Sequence, residues 1–344
     1  MPKMCYHKYN KKEIDNSGEK IKINSEDDNT YDIIDYWRSL HIGPLNVVKS
    51  NLYIYSKKIA IKNTEHIKII ASRLKRIESI KNKLQRQDTN SMRLTQMQDI
   101  GGCRMILSSI EELNEIKRLF EKFKNKKEIK KIEDYIQNPK RDGYRGIHII
   151  YQYKNKKYLE CNNCLIEIQL RTKLQHIWAT TVEVIDEIKG TSIKYNDHYK
   201  DWSRYFSLMS SFIANKEESP IVPYTPIDYN ELNNELIELH KKLDVETILE
   251  KSKAISHYSD KNKGNNYYLL DLSANKNRPQ LDIKGFIKYN DAMKKYKELE
   301  KNNPHNNIVL VSIEKIKNLK KAYPNYYRDA TEFIKLIKSD GEIS

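Results

Sequence analysis

An alternation of apolar and polar residues predicts a strand with one chemically active face at Leu165–Thr172. Aliphatic residues occupy every second position there and would anchor one side of the strand in a core. The other side carries Glu167, Gln169 and Arg171 in a row. A carboxylate lined up beside cations suits Mg²⁺-assisted phosphate chemistry better than it suits packing.

Apolar residues at three- and four-residue steps predict helices along much of the chain. The predicted helical segments are 31–40, 47–59, one or two helices within 66–86, 109–125, the stretch after Thr172, 199–214, 230–255, 290–301 and further helices to about 337. The predicted strands lie within 97–107 and at 128–132, at the stretch that starts at His148, and at 165–172, 267–272, 281–287 and 308–312. This order predicts an α/β (α+β) fold in which helices flank a mixed β-sheet.

A proline-rich stretch at 216–229 predicts a linker. Residues 1–30 are polar with little periodicity, and they predict a flexible lead-in with weak structure at most. Residues 31–215 would then form the first domain, and residues 230–344 a small C-terminal α/β accessory module.

The chain of 344 residues carries a formal net charge of +15, with a pI of about 9.3. Residues 220–344 hold 21 basic and 18 acidic side chains, so most of the positive excess lies before them. A polyanionic substrate or partner for the first domain is therefore plausible.

The four cysteines and the absence of long apolar runs indicate the cellular setting of the protein. Cys161-Asn-Asn-Cys164 resembles half of a zinc site, but no second pair follows at ligand spacing, so a turn inside a β-hairpin is the favoured interpretation. No apolar stretch approaches 18 residues, and no signal peptide opens the chain. We expect a reduced, cytoplasmic setting and no membrane association.

A loop between two predicted strands gathers chemically active residues. Pro139 and the pair Asp142-Gly143 force the chain to turn. The loop carries cations, an aromatic ring and a histidine, among them Lys140, Tyr144, Arg145 and His148. This combination favours a nucleotide pocket over a simple turn.

Five segments, in this order and spacing, resemble the RelA/SpoT synthetase domain over roughly residues 40–215. They are Arg73–Lys83, Asp99–Arg104, the loop through Tyr144 and His148, Glu167–Thr172 and His176–Ala179. Any one of these alone would be a weak signal, whereas five in order are a strong one. The resemblance implies a nucleotidyltransferase-like fold. It also implies transfer of the β,γ-pyrophosphate of ATP to the 3′-hydroxyl of GDP or GTP, which gives the alarmone (p)ppGpp.

The resemblance also implies roles for individual residues. Asp99 and Glu167 are the expected catalytic residues and the expected ligands of Mg²⁺ or Mn²⁺. The expected ATP-binding residues are Arg73, Lys75, Lys81, Lys83 and Arg104, with Arg73 and Arg104 expected to flank the adenine. The expected acceptor-binding residues are Lys140, Tyr144, Arg145, His148, Gln169 and Arg171, with the acceptor's base stacked on Tyr144.

Two positions depart from the family pattern and keep other functions open. Glu133 stands where relatives often have lysine, and Trp178-Ala179 are not followed shortly by the usual Glu and His. Together with the positive charge, this keeps a toxin-like relative that pyrophosphorylates the 3′ end of tRNA as the second hypothesis. A third is a catalytically inactive nucleotide- or RNA-sensing protein, although the retained Asp99 and Glu167 argue against it.

Partners other than substrates concern the C-terminal module. It could bind an antitoxin or a regulator, and homo-oligomer formation stays open. The segment Tyr323-Pro-Asn-Tyr326-Tyr327 could contact RNA or a partner, but a position in a core is the favoured interpretation.

Overall fold

The computed structural model describes residues 8–60, 69–86, 89, 91–123, 128–155, 159–193, 196–258, 264–273, 275, 279–303 and 305–339. Residues 1–7 of the predicted lead-in and residues 66–68 of the predicted helical segment lie outside these ranges. None of the helices within the ranges is long and apolar enough to cross a membrane.

The N-terminal segment contains a capped and packed helix. Helix α1 spans Lys11–Lys22, and Asn10 and Glu13 form a capping box at its start. Its Ile14 and Ile21 are buried against other helices. Because this apolar face holds α1 in a core, the prediction of weak structure was wrong for residues 11–22. Helices α2 (Asp28–Leu40) and α3 (Ile42–Ala60) follow, as the periodicity predicted.

Nine strands form one mixed sheet. They are β1 (Ile69–Leu74), β2 (Gly101–Leu107), β3 (Ile129–Asp134), β4 (Ile147–Gln152), β5 (Leu165–Thr172), β6 (Ile255–Tyr258), β7 (Tyr267–Leu272), β8 (Gln280–Phe286) and β9 (Asn307–Ile313). Their order in the sheet is β3-β4-β5-β2-β1-β9-β7-β8-β6. The pairs β2–β5 and β6–β8 are parallel, and the other pairs are antiparallel.

Strand β1 corrects the helical prediction for the cation-rich segment. It pairs with β2 on one side and with β9 on the other. Ile69, Ile70, Ala71 and Leu74 are all buried, so this short run is apolar because both faces of the sheet are covered. The predicted helix begins only afterwards, as α4 (Ile77–Gln85).

Further helices cover the sheet. They are α5 (Ile110–Phe123), α6 (Lys173–Lys189), α7 (Lys200–Lys216), α8 (Tyr229–Leu243), α9 (Val245–Lys251), α10 (Tyr289–Asn302), α11 (Leu319–Ala322) and α12 (Thr331–Ser339). Helices α3 and α5 share a core with the aliphatic side of β5. Helix α11 and the tyrosines after it pack on the opposite face, against Ile69, Ala71 and Ile106. The polar side of β5 therefore faces the C-terminal segment.

The two predicted parts of the chain share one sheet. Strand β9, from the part after 216–229, pairs with β1 through Ala71 opposite Ile313. Arg38 Nη2 in α2 also donates a 2.8 Å hydrogen bond to the Tyr296 hydroxyl in α10, and Arg38 is completely buried. The division into domains stays a prediction, but the C-terminal part is an extension of the sheet rather than a tethered unit.

Candidate active site

Asp99 and Glu167 line the same small cavity. The cavity has a volume of about 80 Å³ and lies on the face of β1, β2 and β5 that meets the C-terminal segment. Glu167 lies opposite Gly102 in the parallel pairing of β2 with β5, and Asp99 stands just before β2. The other polar lining residues are Arg73, Lys75, Arg104, Gln169 and Tyr323. Two carboxylates far apart in sequence thus meet in a lining rich in cations.

Asp99 is held by two ammonium groups. Lys75 Nζ lies 2.8 Å from Oδ2 of Asp99, and Lys83 Nζ lies 3.0 Å from Oδ1. Burial alone would raise the pKa of Asp99, but the two lysines lower it to about 2. The carboxylate is therefore ionised at any physiological pH.

Glu167 is held by a histidine and an amide. His148 Nδ1 lies 3.1 Å from Oε1 of Glu167, and Gln169 Nε2 donates a 2.7 Å hydrogen bond to Oε2. Burial would raise the pKa of Glu167, whereas His148 lowers it below the usual value. Burial would lower the pKa of His148, but Tyr144 and Glu167 raise it to about 9. At neutral pH this site therefore holds an imidazolium beside a carboxylate.

Tyr144 is surrounded by cations and rings. Its hydroxyl hydrogen-bonds His148 Nε2 and accepts a 3.0 Å hydrogen bond from Arg171 Nη2. The ammonium group of Lys140 lies 4.1 Å from the ring centroid of Tyr135 and 5.4 Å from that of Tyr144. Burial would raise the pKa of the Tyr144 hydroxyl, but Arg171 and His148 lower it to about 8. Most of the expected acceptor-binding residues thus form one contiguous cluster beside Glu167.

The loop that carries Lys140 and Tyr144 turns at Gly143, as its sequence predicted. Gly143 has φ = +87°, a backbone geometry that favours glycine. A Cβ atom at this position would lie 2.8 Å from the Trp178 ring. Close packing against α6 therefore fixes the position of Tyr144, the next residue.

The C-terminal segment contacts the two expected adenine-flanking arginines. Arg104 Nη1 donates a 3.2 Å hydrogen bond to the carbonyl oxygen of Ala322, and Tyr323 lines the cavity together with Arg73 and Arg104. Burial and then Arg171 lower the pKa of Arg104 to about 10. Arg104 Nε and Arg171 Nη1 are buried and have no hydrogen-bond partner among the described residues. Buried cations with unused donors are typical of a site for an anionic ligand.

Two expected site residues, Lys81 and Arg145, have their hydrogen-bond partners outside both the cavity and the cluster around Tyr144. Lys81 Nζ lies 2.5 Å from Oε1 of Glu26, between α1 and α2. Arg145 is buried and donates hydrogen bonds of 2.6 Å to the carbonyl oxygen of Pro220 and to the Ser219 hydroxyl. Arg145 therefore anchors the chain after α7, because Ser219 and Pro220 belong to that segment.

Two residues of the site were not predicted from the sequence. Tyr135 packs edge-to-face on both Tyr144 and His148, and Tyr323 closes the cavity. The signal for Tyr135 was its place in Asp134-Tyr135-Ile136, just before the predicted loop. Tyr323 belongs to a tyrosine cluster that is buried, as favoured, but its place beside Arg73 required the pairing of β1 with β9.

Asp99 and Glu167 are the carboxylates that line the cavity. Among the described residues, no group of three or more His, Cys, Asp or Glu side chains could hold a metal ion. Cys161 and Cys164 lie in the connection of the β4–β5 hairpin, as predicted, where both are buried and not disulfide-bonded. A cation here would need ligands from a substrate in addition to Asp99 and Glu167.

Sequence comparison finds similar proteins for the segment that contains most of this site. Residues 72–186 match the family described as "Region found in RelA / SpoT proteins". The chain is 34% identical over 119 residues to GTP pyrophosphokinase YwaC of Bacillus subtilis strain 168, covering 34% of this chain and 55% of YwaC. It is 29% identical over 114 residues to GTP pyrophosphokinase YjbM of the same organism, covering 33% of this chain and 54% of YjbM. The chain thus spans about half the length of these curated relatives.

Solved structures similar to this chain include two small alarmone synthetases of Bacillus subtilis. Synthetase 2 aligns with a TM-score of 0.42 at 25% identity, covering 54% of this chain and 95% of that structure. Synthetase 1, bound to its product pppGpp, aligns with a TM-score of 0.42 at 21% identity, covering 54% and 92%.

Proposed function

We propose that this chain is a pyrophosphokinase, because residues 72–186 match the family described as "Region found in RelA / SpoT proteins". It transfers the β,γ-pyrophosphate of ATP to the 3′-hydroxyl of GDP or GTP. The observation that carries the proposal is the convergence of Asp99 and Glu167 on one cavity lined by Arg73, Lys75 and Arg104. Cations beside ionised carboxylates are the arrangement that pyrophosphoryl transfer needs, because charge develops on the phosphate oxygens.

Asp99 and Glu167 would hold Mg²⁺ or Mn²⁺ together with phosphate oxygens of ATP. Both pKa values are lowered, so both side chains are charged and ready to bind a cation. Mg²⁺ is usually bound by one or two carboxylates plus substrate oxygens, so this pair fits it. When bound, the ion would neutralise charge on the transferring phosphates. Lys75 and Lys83 occupy both oxygens of Asp99, so at least one ammonium group has to turn toward the phosphates.

The proposed reaction is an in-line displacement without a covalent enzyme intermediate. A bond forms between the acceptor's 3′-oxygen and the β-phosphorus, the bond from that phosphorus to the α,β-bridging oxygen breaks, and AMP leaves. Glu167 accepts the hydroxyl proton. His148 is a positioning residue, because its contact with Oε1 fixes the carboxylate's orientation. Catalysis comes mainly from this positioning and from charge neutralisation.

The acceptor's base would stack in the cluster around Tyr144. Lys140 and Arg171 flank this ring, and they supply positive charge for the acceptor's phosphates. A stack of a base on an aromatic ring contributes roughly 1–3 kcal/mol. Arg145 and Lys81 are left out of this assignment because their partners lie elsewhere.

ATP needs more room than the cavity offers. Ligand pockets for molecules of this size have volumes of about 300–1,000 Å³, whereas this cavity measures about 80 Å³. Tyr323 and the Ala322 carbonyl lie against the arginines proposed to flank adenine. The segment that contains them therefore has to move before ATP binds.

The proposal is tested by the fate of labelled pyrophosphate. Purified protein is incubated with [γ-³²P]ATP and Mg²⁺ together with GDP, GTP or tRNA. We expect label on GDP or GTP, its loss in Glu167→Gln, and no change in Glu298→Gln, a control on the surface of α10. Label on tRNA alone would overturn the choice of acceptor, and no label on any acceptor would overturn the enzymatic function.

A further inference from the structure

A second and larger cavity lies outside the candidate active site. Its volume is about 560 Å³, and it opens between α6, the segment 317–324 and the start of α12. Its floor is apolar and includes Ile106, Ile177 and Phe333. The proposed reaction assigns no role to it.

Lysines from three separate places in the chain line this cavity. They are Lys173, Lys253, Lys317, Lys320 and Lys321. The two lining carboxylates, Asp329 and Glu332, already form ion pairs with Lys320 and Lys173. The lining therefore has a net positive charge.

Three of these lysines lack a compensating carboxylate in the described part of the chain. No described Asp or Glu lies within ion-pair distance of Lys253, Lys317 or Lys321. Their side chains are exposed at the edge of the cavity, so their charge is available to a ligand. An ammonium group is a compact point charge that suits phosphate oxygens.

We propose that this cavity binds an organic phosphate, with the apolar body of the ligand on the aliphatic floor and its phosphate among the edge lysines. The volume lies within the range of small-molecule sites, about 300–1,000 Å³. An apolar floor with a few charged groups at one edge is the usual design of such a site. The proposal does not depend on the pyrophosphokinase reaction, because no lining residue is shared with the candidate active site.

Isothermal titration calorimetry of the full chain with 1-naphthyl phosphate tests this site. This probe has a flat apolar body and a phosphate, but no ribose or nucleobase. We expect binding of one molecule per chain that weakens at least tenfold in Lys317→Glu/Lys321→Glu. The matched control is Lys294→Glu/Lys315→Glu, which changes the net charge equally at exposed positions outside the cavity.

Two further measurements separate this site from the nucleotide cavity and from simple hydrophobic binding. Ala330→Leu, which fills the cavity, abolishes binding, whereas Glu167→Gln leaves the affinity unchanged. Thermal melting checks that each variant folds. If Ala330→Leu does not fold, the variant Lys317→Glu/Lys321→Glu, which changes exposed residues, still tests the proposal. The proposal is overturned by an absence of saturable binding, by equal weakening in the control pair, by loss of affinity in Glu167→Gln, or by equal affinity for uncharged 1-naphthol.

Discussion

The ammonium nitrogen of Lys75 lies 2.8 Å from Oδ2 of Asp99. This contact joins the end of β1 to the start of β2 at the edge of the candidate active site. A residue proposed to bind phosphate and a residue proposed to bind a metal ion therefore neutralise each other when neither has its ligand. The pair keeps both side chains charged inside a lining that is largely shielded from water.

Asp99→Asn should abolish transfer and also destabilise the fold. The change removes a proposed metal ligand, so kcat should fall by at least a hundredfold. It also leaves the ammonium groups of Lys75 and Lys83 unpaired, which should lower the free energy of unfolding by about 1–3 kcal/mol. Activity assays and urea denaturation measure the two effects. Glu26→Gln, which breaks the remote contact with Lys81, should leave kcat unchanged. A fully active Asp99→Asn would contradict the assignment.

The contribution of His148 to stability should vanish at high pH. The folded-state pKa of His148 is raised to about 9, against about 6.5 when unfolded. A raised pKa stabilises the fold fully below the unfolded value, and this stabilisation is lost as the pH rises through 9. The difference in unfolding free energy between wild type and His148→Gln should therefore be about 2–3 kcal/mol at pH 6 and small at pH 10. A difference that does not change with pH would show that the histidine is neutral.

Tyr323→Ala should strengthen ATP binding. Removing the ring enlarges a cavity that is too small for a nucleotide and frees the space beside Arg73 and Arg104. Calorimetry should show at least a fivefold lower Kd for ATP. Tyr323→Phe keeps the ring and should bind ATP as the wild type does. Weaker binding by Tyr323→Ala would instead show that the ring forms part of the ATP site.

Arg145→Ala should reduce the stability of the fold, whereas Tyr144→Ala should reduce acceptor binding. Arg145 donates its hydrogen bonds to Ser219 and Pro220, so its loss should cost about 2–4 kcal/mol of stability and leave the KM for the acceptor within about threefold. Tyr144→Ala should abolish use of the acceptor while ATP binding stays near normal. An acceptor KM raised strongly by Arg145→Ala, with unchanged stability, would return this arginine to the acceptor site.

The parts of the fold with a regular pattern were predictable from the sequence. Strand β5 has the predicted bounds, and Ile166, Ile168 and Leu170 are fully buried as its alternation required. Strand β1 was not predictable in this way. Its apolar residues Ile69, Ile70, Ala71 and Leu74 lie on both faces, and such a short run has no period that separates a strand from a helix.

In the candidate site, too, the residues within one strand were predictable, and the residues placed by long-range contacts were not. Glu167 and Gln169 could be placed side by side because they are two positions apart on one strand and therefore share a face. The inward position of Tyr323 depends on the antiparallel pairing of β9 with β1, which joins residues more than 200 positions apart. The contact of Arg145 with Pro220 depends on where the chain runs after α7. Neither of these long-range contacts leaves a local signal in the sequence, so the positions of Tyr323 and Arg145 could be found only from the structure.

The most direct test of the account is the location of a divalent ion in crystals grown with Mn²⁺ and a non-hydrolysable ATP analogue. Anomalous diffraction should show a Mn²⁺ peak within about 2.5 Å of one oxygen of Asp99 and one oxygen of Glu167, with phosphate oxygens completing its coordination. A bound nucleotide with no ion between these carboxylates, or with the ion held by other residues, would contradict the account.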